Sequence, residues 1–328
     1  MISLDKKILD PNSTVAQRMI QQGLQDSLFI VVPAVSTQQV RLSTTVQVLG
    51  VGGSKFFQFF GIISSGRKFL FEHPEITVVT CQDPFFTALA AFFIWKQPLV
   101  FEVQVHGDFF GSNYYRAGSL MNRARYYLGK FFIRLANPVR VAGERIKQSI
   151  IATGVAEHRI VARPVTLDPE ATPHFKPHFN LHERFPGYEK IFVALGRLDP
   201  VKNIAWLIQL FPELLKTHRG TLLVIVGDGV ERAALELLVK HFCLRDNIVF
   251  TGWVNDPLSY LASSDGLLFP SLSEGYGLAL LEANAVGCPI VTTDVGVANF
   301  ELNTGPAVHI VPINDRAAFL KAVFTLYN

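Results

Sequence analysis

The chain has 328 residues, of which 49% are hydrophobic and 17% are charged, a composition typical of a globular protein with a large core. This length allows two domains of about 150 residues each, and the composition excludes an intrinsically disordered chain. The net charge of +3 conceals an asymmetry: residues 1–165 carry 18 Lys and Arg against 10 Asp and Glu, whereas residues 166–328 carry 12 against 17. A basic first half favours an anionic partner, such as anionic lipid or an anionic acceptor. Nucleic acid is disfavoured, because no recognised binding motif accompanies the charge.

The cysteines and the apolar runs indicate the compartment. Cys81, Cys243 and Cys288 lie far apart and form no CxxC pair, which favours a reducing compartment and argues against a zinc site. The longest apolar run, residues 84–95, is too short to span a bilayer. The charged start of the chain does not resemble a signal peptide. We therefore expect a cytoplasmic protein.

The first half of the chain alternates short apolar strands with helices. Its predicted elements are a strand stub at residues 1–4, a helix capped by Asn12 or Ser13, strands at 28–32 and 46–49, a helix at 55–63, a strand at 76–80, a helix from 84, a strand at 99–105 and a helix at 120–135. Because no hairpin signal separates them, these elements predict a parallel sheet that is covered on both faces.

His106 stands at the carboxyl end of the strand at residues 99–105 and is followed by a glycine. In open α/β sheets, ligands bind at the carboxyl ends of the strands. His106 is therefore a candidate functional residue, and the alternative is a purely structural histidine.

A domain boundary is predicted after residues 161–165. Residues 166–187 are rich in Pro, His and Phe and show little periodicity, as expected for a linker. The predicted domains are therefore residues 1–165 and residues 166–328.

Three histidines of the linker region, His174, His178 and His182, have the spacing of a helix face and could suggest a metal site. Pro177 lies among them in a loop-like context, so we interpret them as surface histidines. No metal-binding residues are predicted.

The strand and helix pattern restarts after the linker. Strands are predicted at residues 191–195, 222–226, 248–254, 266–269 and 289–293. Each of these strands ends in a loop that contains glycine or charge. Such loops would line one edge of a second doubly wound sheet, facing a cleft between the two domains.

The most informative stretch is residues 266–283. An apolar strand breaks at Pro270, a glycine-containing loop follows, and a helix begins near Gly277. The free N–H groups and the positive dipole at such a helix start form an anion site. Glu274 and Glu282 bracket it, and carboxylates beside a phosphate site suit a ligand that also carries hydroxyls. A nucleotide sugar has both groups; the alternative is an ordinary strand–helix unit with two solvated glutamates.

Motifs in the second half resemble the C-terminal half of GT-B glycosyltransferases of the retaining family-4 type, which are the group 1 glycosyl transferases. They are Gly196-Arg197-Leu198, Lys202-Asn203, Gly227-Asp228-Gly229, Phe250-Thr251-Gly252 and the pair Glu274/Glu282. In the first half the resemblance depends mainly on His106-Gly107-Asp108. It implies an α/β protein with two Rossmann-like doubly wound domains that face a cleft. Residues 1–165 would be the acceptor domain, and residues 166–328 would be the nucleotide-sugar donor domain.

The resemblance also implies residue roles. Arg197 and Lys202 would neutralise the donor diphosphate, which suits cationic side chains at a strand end. Glu282 would hold the ribose hydroxyls, and Glu274 would lie near the transferred sugar, which His106 would reach from the other domain. The implied catalytic residues are thus His106, Glu274, Arg197 and Lys202. The implied donor-binding residues are Gly196, Gly227, the base contacts Trp253 and Val254, the phosphate cradle Gly275, Tyr276, Gly277 and Leu278, and Glu282.

The acceptor site is less well defined by sequence. The family usually has a Gly-Gly loop near the start of the chain, and here that place holds Asp10-Pro11-Asn12-Ser13. Asn12, Ser13 and Asp108 are assigned to the acceptor.

The resemblance predicts a retaining glycosyltransferase that moves a hexose from a nucleotide-diphosphate sugar to a hydroxyl acceptor, either lipid-linked or a cell-surface glycan precursor. No cofactor or metal is expected, because cationic side chains and the helix start would stabilise the leaving group. The alternatives are a nucleotide-sugar epimerase of the same fold and a non-catalytic nucleotide-sugar binding module. A NAD-dependent oxidoreductase is disfavoured, because no strand runs into a full GxGxxG motif.

Residues 55–71 and 123–134 interleave aromatic rings with cations. Such segments can lie in the headgroup region of an anionic membrane. The alternative is that these helices pack on the sheet and their charges are solvated. The predicted location is the cytoplasm, with peripheral contact at the cytoplasmic membrane face.

Overall fold

The computed structural model describes residues 1–116, 119–165, 167, 171–302 and 305–327. The chain divides into two compact units, one of Met1–Ala142 with Ile146–Arg163 and one of Gly143–Arg145 with Pro164–Asn328. The predicted linker, residues 166–187, lies partly outside the described residues, at residues 166 and 168–170.

The N-terminal part of the chain alternates strands and helices around one sheet. Its strands are β1 (Leu28–Pro33), β2 (Gln38–Arg41), β3 (Val46–Val51), β4 (Val78–Cys81), β5 (Val100–Val105), β6 (Val139–Val141) and β7 (Ile160–Ala162). Its helices are α1 (Thr14–Gln22), α2 (Lys55–Glu72), α3 (Phe86–Ile94), α4 (Asn113–Arg116), α5 (Leu120–Leu135) and α6 (Glu144–Ile151).

The N-terminal sheet is joined at its centre by the predicted strand stub. The strand groups β2-β3-β1 and β4-β5-β6-β7 both contact Ile2, which bridges in parallel to Val31 and to Cys81. The Ile2 N–H donates to the Thr80 carbonyl at 2.9 Å. With Ile2 as the first strand position, the chain winds outward to β1 and β3 and then reverses to β4, β5, β6 and β7. The topological switch point of this sheet therefore lies between Ile2 and β4.

One strand of this sheet contradicts the prediction of a wholly parallel sheet. β2 pairs antiparallel with β3, with Gln39 opposite Leu49 and Arg41 opposite Gln47. β2 is four residues long and mostly exposed, so its sequence lacks the apolar pattern by which the other strands were found. A short polar strand at the edge of a sheet also limits unwanted pairing with other chains.

The C-terminal part of the chain builds a second sheet. Its strands are β8 (Lys190–Leu195), β9 (Thr221–Val226), β10 (Ile248–Gly252), β11 (Gly266–Phe269), β12 (Ile290–Thr293) and β13 (Val308–Val311). Its helices are α7 (Leu181–Arg184), α8 (Ile204–Thr217), α9 (Arg232–His241), α10 (Pro257–Ala262), α11 (Leu278–Ala285) and α12 (Arg316–Thr325).

The order of the strands decides where this unit can bind a ligand. Its six-stranded sheet is parallel, in the order β10-β9-β8-β11-β12-β13. All residues of β9 are buried, because helices cover both faces of the sheet: Phe211 and Phe319 pack on one face, and Leu181 and Leu280 pack on the other. The winding direction reverses between β8 and β11, so the loops after these two strands meet at the switch point.

The linker histidines contact two different aspartates. His178 Nδ1 lies 2.8 Å from Asp256 Oδ2, and His182 Nε2 lies 2.9 Å from Asp265 Oδ2. Asp265 Oδ2 also accepts the Ile191 N–H at 2.7 Å. These bonds attach the segment before β8 to the side of the C-terminal sheet, so the two histidines have separate structural partners.

Candidate functional site

Three glycines bring the ends of β8, β9 and β10 into backbone contact. Gly196 and Gly227 have φ values of +145° and +134°, which side chains rarely allow. A Cβ atom on Gly227 would lie 2.0 Å from the Gly196 carbonyl oxygen. The Gly227 N–H donates to the Gly252 carbonyl at 2.9 Å. These residues therefore shape the strand ends, and any larger residue at Gly227 would push the β8 and β9 loops apart.

The loops after β8 and β11 meet in an ion pair. Lys202 Nζ lies 2.5 Å from Glu274 Oε1, and the two side chains are only 17% and 10% exposed. The Ser271 hydroxyl donates to the same Glu274 oxygen at 2.7 Å. Lys202 Nζ also lies 5.1 Å from the centroid of the Phe269 ring, a cation–π contact. Lys202 and Glu274 are 72 positions apart in the chain, and the sequence predicted each of them as a site residue. The structure makes them direct partners.

Hydrogen bonds to backbone carbonyls hold these two loops together. Lys202 ends a single turn of 3-10 helix, and Asn203 then takes a left-handed conformation with φ of 57° before α8 begins. The Asn203 side-chain amide donates to the Pro270 carbonyl at 3.3 Å. The Leu272 N–H donates to the Val201 carbonyl at 2.8 Å. The position of Lys202 is therefore determined by both loops.

The start of α11 lies directly after Glu274 in the chain. Gly277 is its left-handed N-cap, with φ of 90°, and Gly277 offers no side-chain oxygen to the first N–H groups of the helix. Within the described residues, the N–H groups of Gly275, Tyr276, Gly277 and Leu278 donate no hydrogen bond. Unsatisfied N–H groups at a helix start attract anions.

The loop after β12 supports the turn at Tyr276. The sequence did not predict this loop as part of the site. The Val297 N–H donates to the Tyr276 carbonyl at 2.8 Å. A Cβ atom on Gly296, which has φ of +55°, would lie 2.4 Å from that carbonyl oxygen and 3.0 Å from Glu274 Cβ. Gly296 was the one sequence signal for this support. Its partner, Tyr276, is 20 residues earlier in the chain, so the sequence does not connect the two.

The other residues predicted to bind the donor lie in the loops after β8 and β10 and on α11. Arg197 is 72% exposed, and its Nη1 lies 3.1 Å from Asp199 Oδ2. Trp253 follows β10 and is 69% exposed, whereas Val254 packs against the apolar cluster below it. Glu282 is partly buried on α11 and is already engaged within the chain.

The sequence did not predict Arg232 as a site residue, although Arg232 lies beside the end of β10. A Cβ atom on Gly252 would meet its Nη1 at 3.1 Å. Asp228 Oδ2 and Glu236 Oε1 hold its guanidinium at 3.2 Å and 2.8 Å. The loop after β9 is thereby attached to α9.

His106 ends a row of polar side chains in the N-terminal unit. Its Nε2 lies 3.2 Å from Gln104 Oε1, and the Gln104 amide donates to Thr80 Oγ1 and to Glu102 Oε1, each at 3.1 Å. Desolvation by the surrounding protein lowers the pKa of the His106 imidazole. The positive charge of Arg140 lowers this pKa further. A neutral imidazole keeps one nitrogen as a hydrogen-bond acceptor.

The three residues assigned to the acceptor have local bonds of their own. Ser13 caps α1, since its Oγ accepts the Ala16 N–H at 3.0 Å and donates to the Lys7 carbonyl at 2.6 Å. Asp108 is buried and accepts the Gly111 N–H at 2.9 Å. Asn12 is exposed. Their role in acceptor binding stays a prediction.

Among the described residues, no helix is long and apolar enough to cross a membrane.

Comparison with known sequences finds a family match in the C-terminal unit. Residues 189–328 match the family model described as Glycosyl transferases group 1. Over 106 residues the chain is 37% identical to N-acetylgalactosamine-N,N'-diacetylbacillosaminyl-diphospho-undecaprenol 4-alpha-N-acetylgalactosaminyltransferase of Campylobacter jejuni, a match that covers 32% of this chain and 28% of the relative. Over 127 residues it is 32% identical to N-acetyl-alpha-D-glucosaminyl L-malate synthase of Bacillus anthracis, covering 39% and 33%. The chain thus matches about a third of these relatives' own length.

Comparison with solved structures covers nearly the whole chain. Sucrose-phosphate synthase from Thermosynechococcus elongatus has a TM-score of 0.78 at 18% identity, covering 99% of this chain and 89% of that chain. HepE of Anabaena in complex with UDP and glucose has a TM-score of 0.69 at 16% identity, covering 99% and 88%. These likenesses show a GT-B fold with two Rossmann-like units. The fold class and the resemblance to group 1 glycosyltransferases, both predicted from the sequence, are confirmed.

Proposed function

We propose that this chain, whose C-terminal unit carries a group 1 glycosyl transferase domain on a GT-B fold, is a retaining glycosyltransferase that moves a hexose from a nucleotide-diphosphate sugar to a hydroxyl acceptor. The observation that carries the proposal is the Lys202–Glu274 ion pair at the switch point of the C-terminal sheet, next to four unsatisfied N–H groups. A cation and N–H donors suit a diphosphate, and a carboxylate suits the hydroxyls of a sugar.

The proposed donor pose uses each of these groups once. The N–H groups of Gly275 to Leu278 donate hydrogen bonds to diphosphate oxygens, and Lys202 contacts the same anion from the β8 side. Arg197 is exposed on the same loop and can reach the diphosphate without breaking a buried contact. Glu282 holds the ribose hydroxyls, and the exposed Trp253 ring lies against the base. The solved complex of HepE with UDP and glucose supports UDP-sugars as the first donors to test.

Front-face transfer retains the configuration at C1 of the hexose without a carboxylate nucleophile. The bond between C1 of the hexose and the phosphate oxygen breaks, and its electron pair goes to that oxygen. The acceptor hydroxyl attacks C1 from the same face, and its proton passes to the departing phosphate. Lys202, Arg197 and the start of α11 stabilise the growing negative charge, so the proposed reaction needs no metal ion or cofactor.

His106 is proposed to contact the transferred sugar. It stands at the carboxyl end of β5, and its neutral imidazole can accept a hydrogen bond from a sugar hydroxyl. Neutrality is retained near pH 7, because the pKa of this group is lowered from 6.5.

We further propose that the acceptor is lipid-linked and that the protein attaches peripherally to the cytoplasmic membrane face. The Campylobacter jejuni relative is named for a diphospho-undecaprenol-linked acceptor. In this chain, exposed rings lie on three adjacent helices: Phe56, Phe57 and Phe60 on α2, Phe93 on α3, and Tyr127 and Phe131 on α5.

Ring contacts connect this aromatic face across the three helices. Phe60 contacts Phe56 and Phe59 on α2, Phe59 contacts Phe93 on α3, and Phe92 contacts Phe131 on α5. The exposed cations Lys55, Arg67 and Lys68 lie on α2. Apolar rings beside cations match the acyl boundary and the headgroups of an anionic bilayer.

The first prediction concerns the two cations of the β8 loop. Arg197→Ala and Lys202→Ala should each lower kcat/KM about 10- to 150-fold, because a charge-assisted bond contributes about 1.5–3 kcal/mol. Only Lys202→Ala should also lower the melting temperature, since it leaves the enclosed Glu274 carboxylate without its partner. Steady-state assays at limiting donor and thermal unfolding measure both effects, with the exposed Lys240→Ala as control. Wild-type turnover in either variant would place the diphosphate elsewhere.

The second prediction separates the two glutamates. Glu282→Gln should weaken binding of the free nucleoside diphosphate, because the ribose contact exists in the ground state. Glu274→Gln should mainly lower kcat, because its contacts matter as the sugar departs. Calorimetry with UDP and steady-state kinetics distinguish these outcomes. Equal UDP affinity of Glu282→Gln and wild type would contradict the ribose assignment.

The third prediction concerns metals. Turnover should be unchanged after treatment with EDTA, because side-chain cations and the helix dipole carry the charge stabilisation. Activity is measured before chelation, after it, and after addition of magnesium or manganese. Complete loss that either metal restores would overturn the metal-independent mechanism.

The fourth prediction concerns the aromatic face. The protein should sediment with anionic vesicles at low salt and be released as the salt concentration rises. The double variant Phe56→Ser and Phe60→Ser should bind these vesicles less, whereas Leu237→Ser, which removes an equally exposed apolar side chain from α9, should not. Equal binding to neutral and anionic vesicles, or to neither, would contradict the proposed attachment.

A further inference from the structure

A row of polar side chains crosses one face of the N-terminal sheet and ends at His106. Glu102 and Gln104 are two residues apart on β5 and therefore share a face, and His106 continues this alternation directly after the strand. Thr80 on β4 lies opposite Glu102, and Arg140 on β6 lies opposite Gln104. Buried parallel strands usually carry apolar residues on both faces, so a polar row at this place is unusual.

The polar row is hydrogen-bonded along its length. Thr80 and Gln104 are only 9% and 4% exposed, and burial of such groups is costly unless they find partners. The Thr80 hydroxyl donates to Glu102 Oε1 at 2.7 Å, and the Gln104 amide donates to Thr80 Oγ1 and to Glu102 Oε1, each at 3.1 Å. Arg140 Nη1 lies 3.9 Å from the same carboxylate oxygen. The negative charge of Glu102 is therefore stabilised by two hydrogen bonds and a cation.

Glu102 and Thr80 determine which way the Gln104 amide faces. An ionised carboxylate accepts hydrogen bonds and donates none, so only the NH2 group of Gln104 can face Glu102. The Thr80 hydroxyl uses its hydrogen on Glu102, so Thr80 Oγ1 is also an acceptor towards Gln104. The carbonyl oxygen of Gln104 is thereby directed to its other neighbour, His106, whose Nε2 lies 3.2 Å away.

This orientation selects one tautomer of His106. Because the Gln104 oxygen is an acceptor, a hydrogen bond to it requires hydrogen on His106 Nε2. In a neutral imidazole the second nitrogen, Nδ1, then carries a lone pair and is an acceptor. Among the described residues, no protein group is hydrogen-bonded to His106 Nδ1.

The charged groups around His106 keep its imidazole neutral near pH 7. Desolvation by the surrounding protein lowers the pKa of His106, and the positive charge of Arg140 on β6 lowers it further. The carboxylate of Asp83, after β4, raises this pKa, but its effect is the smallest of the three. Part of the residue still reaches solvent, since His106 is exposed.

We infer that Gln104 is a positioning residue of the transfer reaction. Glu102 and Thr80 orient its amide, Gln104 holds His106 in the form with hydrogen on Nε2, and Nδ1 is the atom that accepts a hydrogen bond from a hydroxyl of the transferred sugar. This inference rests on the proposed function, in which His106 contacts that sugar. Gln104, Glu102 and Thr80 act through His106.

A fixed tautomer matters because a sugar hydroxyl can donate only to the nitrogen that has a lone pair. With hydrogen on Nδ1, His106 would offer that hydroxyl a donor in place of an acceptor. An acceptor that is oriented before the donor sugar arrives needs no reorganisation during the reaction.

The first test observes the tautomer directly. In the full chain labelled with ¹⁵N, long-range ¹H–¹⁵N correlations show which imidazole nitrogen carries hydrogen, and loss of signals in His106→Phe assigns them. At a pH well above the ordinary histidine pKa of about 6.5, wild type should carry hydrogen on Nε2 of His106.

The variant Gln104→Met keeps the length of the side chain and removes the acceptor. It should make the Nε2 hydrogen of His106 exchange with water about tenfold faster, because one hydrogen bond is lost. Gln58→Met is the matched control. Gln58 is also a buried glutamine of this unit, and its amide donates to the Ala34 carbonyl at 2.7 Å.

Glu102→Gln tests the origin of the orientation. It replaces an acceptor-only carboxylate by an amide that can also donate, so the Gln104 amide is free to turn over. Hydrogen should then appear on Nδ1 of His106 in a measurable fraction of molecules. A spectrum of Glu102→Gln identical to that of wild type would contradict the role of Glu102.

The second test separates positioning from folding by ligand binding. Calorimetry compares UDP with UDP-glucose, UDP-galactose and UDP-N-acetylglucosamine, and the sugar nucleotide that wild type binds most tightly is carried forward. Gln104→Met should bind it about three- to tenfold more weakly and bind UDP equally, because UDP has no hexose. A row that serves only the fold would lower the melting temperature of Gln104→Met, as of Gln58→Met, without this difference between ligands.

The inference is overturned if wild-type His106 carries its hydrogen on Nδ1, or if Gln104→Met changes neither the Nε2 hydrogen exchange nor the affinity for the UDP-sugar. In these cases, binding of a UDP-sugar by wild type leaves the proposed function standing. If wild type binds neither UDP nor any of the three UDP-sugars, the proposed function itself fails.

Discussion

The ion pair between Lys202 and Glu274 is the contact on which the geometry of the C-terminal site depends. An ion pair with side chains only 17% and 10% exposed is costly to desolvate, and it persists only when neighbouring groups satisfy it. Here the Ser271 hydroxyl bonds to the carboxylate, and the Phe269 ring faces the ammonium. In the proposed reaction, the donor diphosphate becomes an additional partner of Lys202, and Glu274 is left facing the sugar. The ion pair therefore already holds both charges at the position that the proposed donor pose requires.

Close backbone packing gives this ion pair its surroundings. Gly227 lies against Gly196, and Gly296 lies against Tyr276, at distances that no side chain would permit. These contacts keep the strand-end loops close together, near the Lys202–Glu274 pair. Within the part of the chain that the structure describes, the N–H groups at the start of α11 have no partner. Hydrogen-bond donors that are fixed in place before a ligand arrives need no reorganisation when negative charge develops.

Both sheets reverse their winding direction at a switch point, but the two switch points carry different residues. Each sheet reverses its winding once, between Ile2 and β4 in the N-terminal unit and between β8 and β11 in the C-terminal unit. The C-terminal switch point carries an ion pair and free N–H groups, which suits a nucleotide diphosphate. The N-terminal switch point is lined by aromatic rings together with Asp5, Asp83 and Arg125. The fold supplies the location of each site, and the loop residues supply its chemistry.

The sequence by itself determined the two α/β units, most of their strands and the family of the C-terminal half, because buried parallel strands are continuous apolar runs and glycine loops have fixed positions after them. It missed β2, whose exposed residues carry no apolar pattern. It named Lys202 and Glu274 separately, but only the tertiary structure made them partners. It also placed Arg197 and Lys202 in one role, whereas the structure leaves Arg197 in solvent and encloses Lys202. The support from Gly296 came from the structure alone, since it joins residues distant in sequence. Periodicity records which face of an element is buried, and the order of strands in the sheet decides which loops meet.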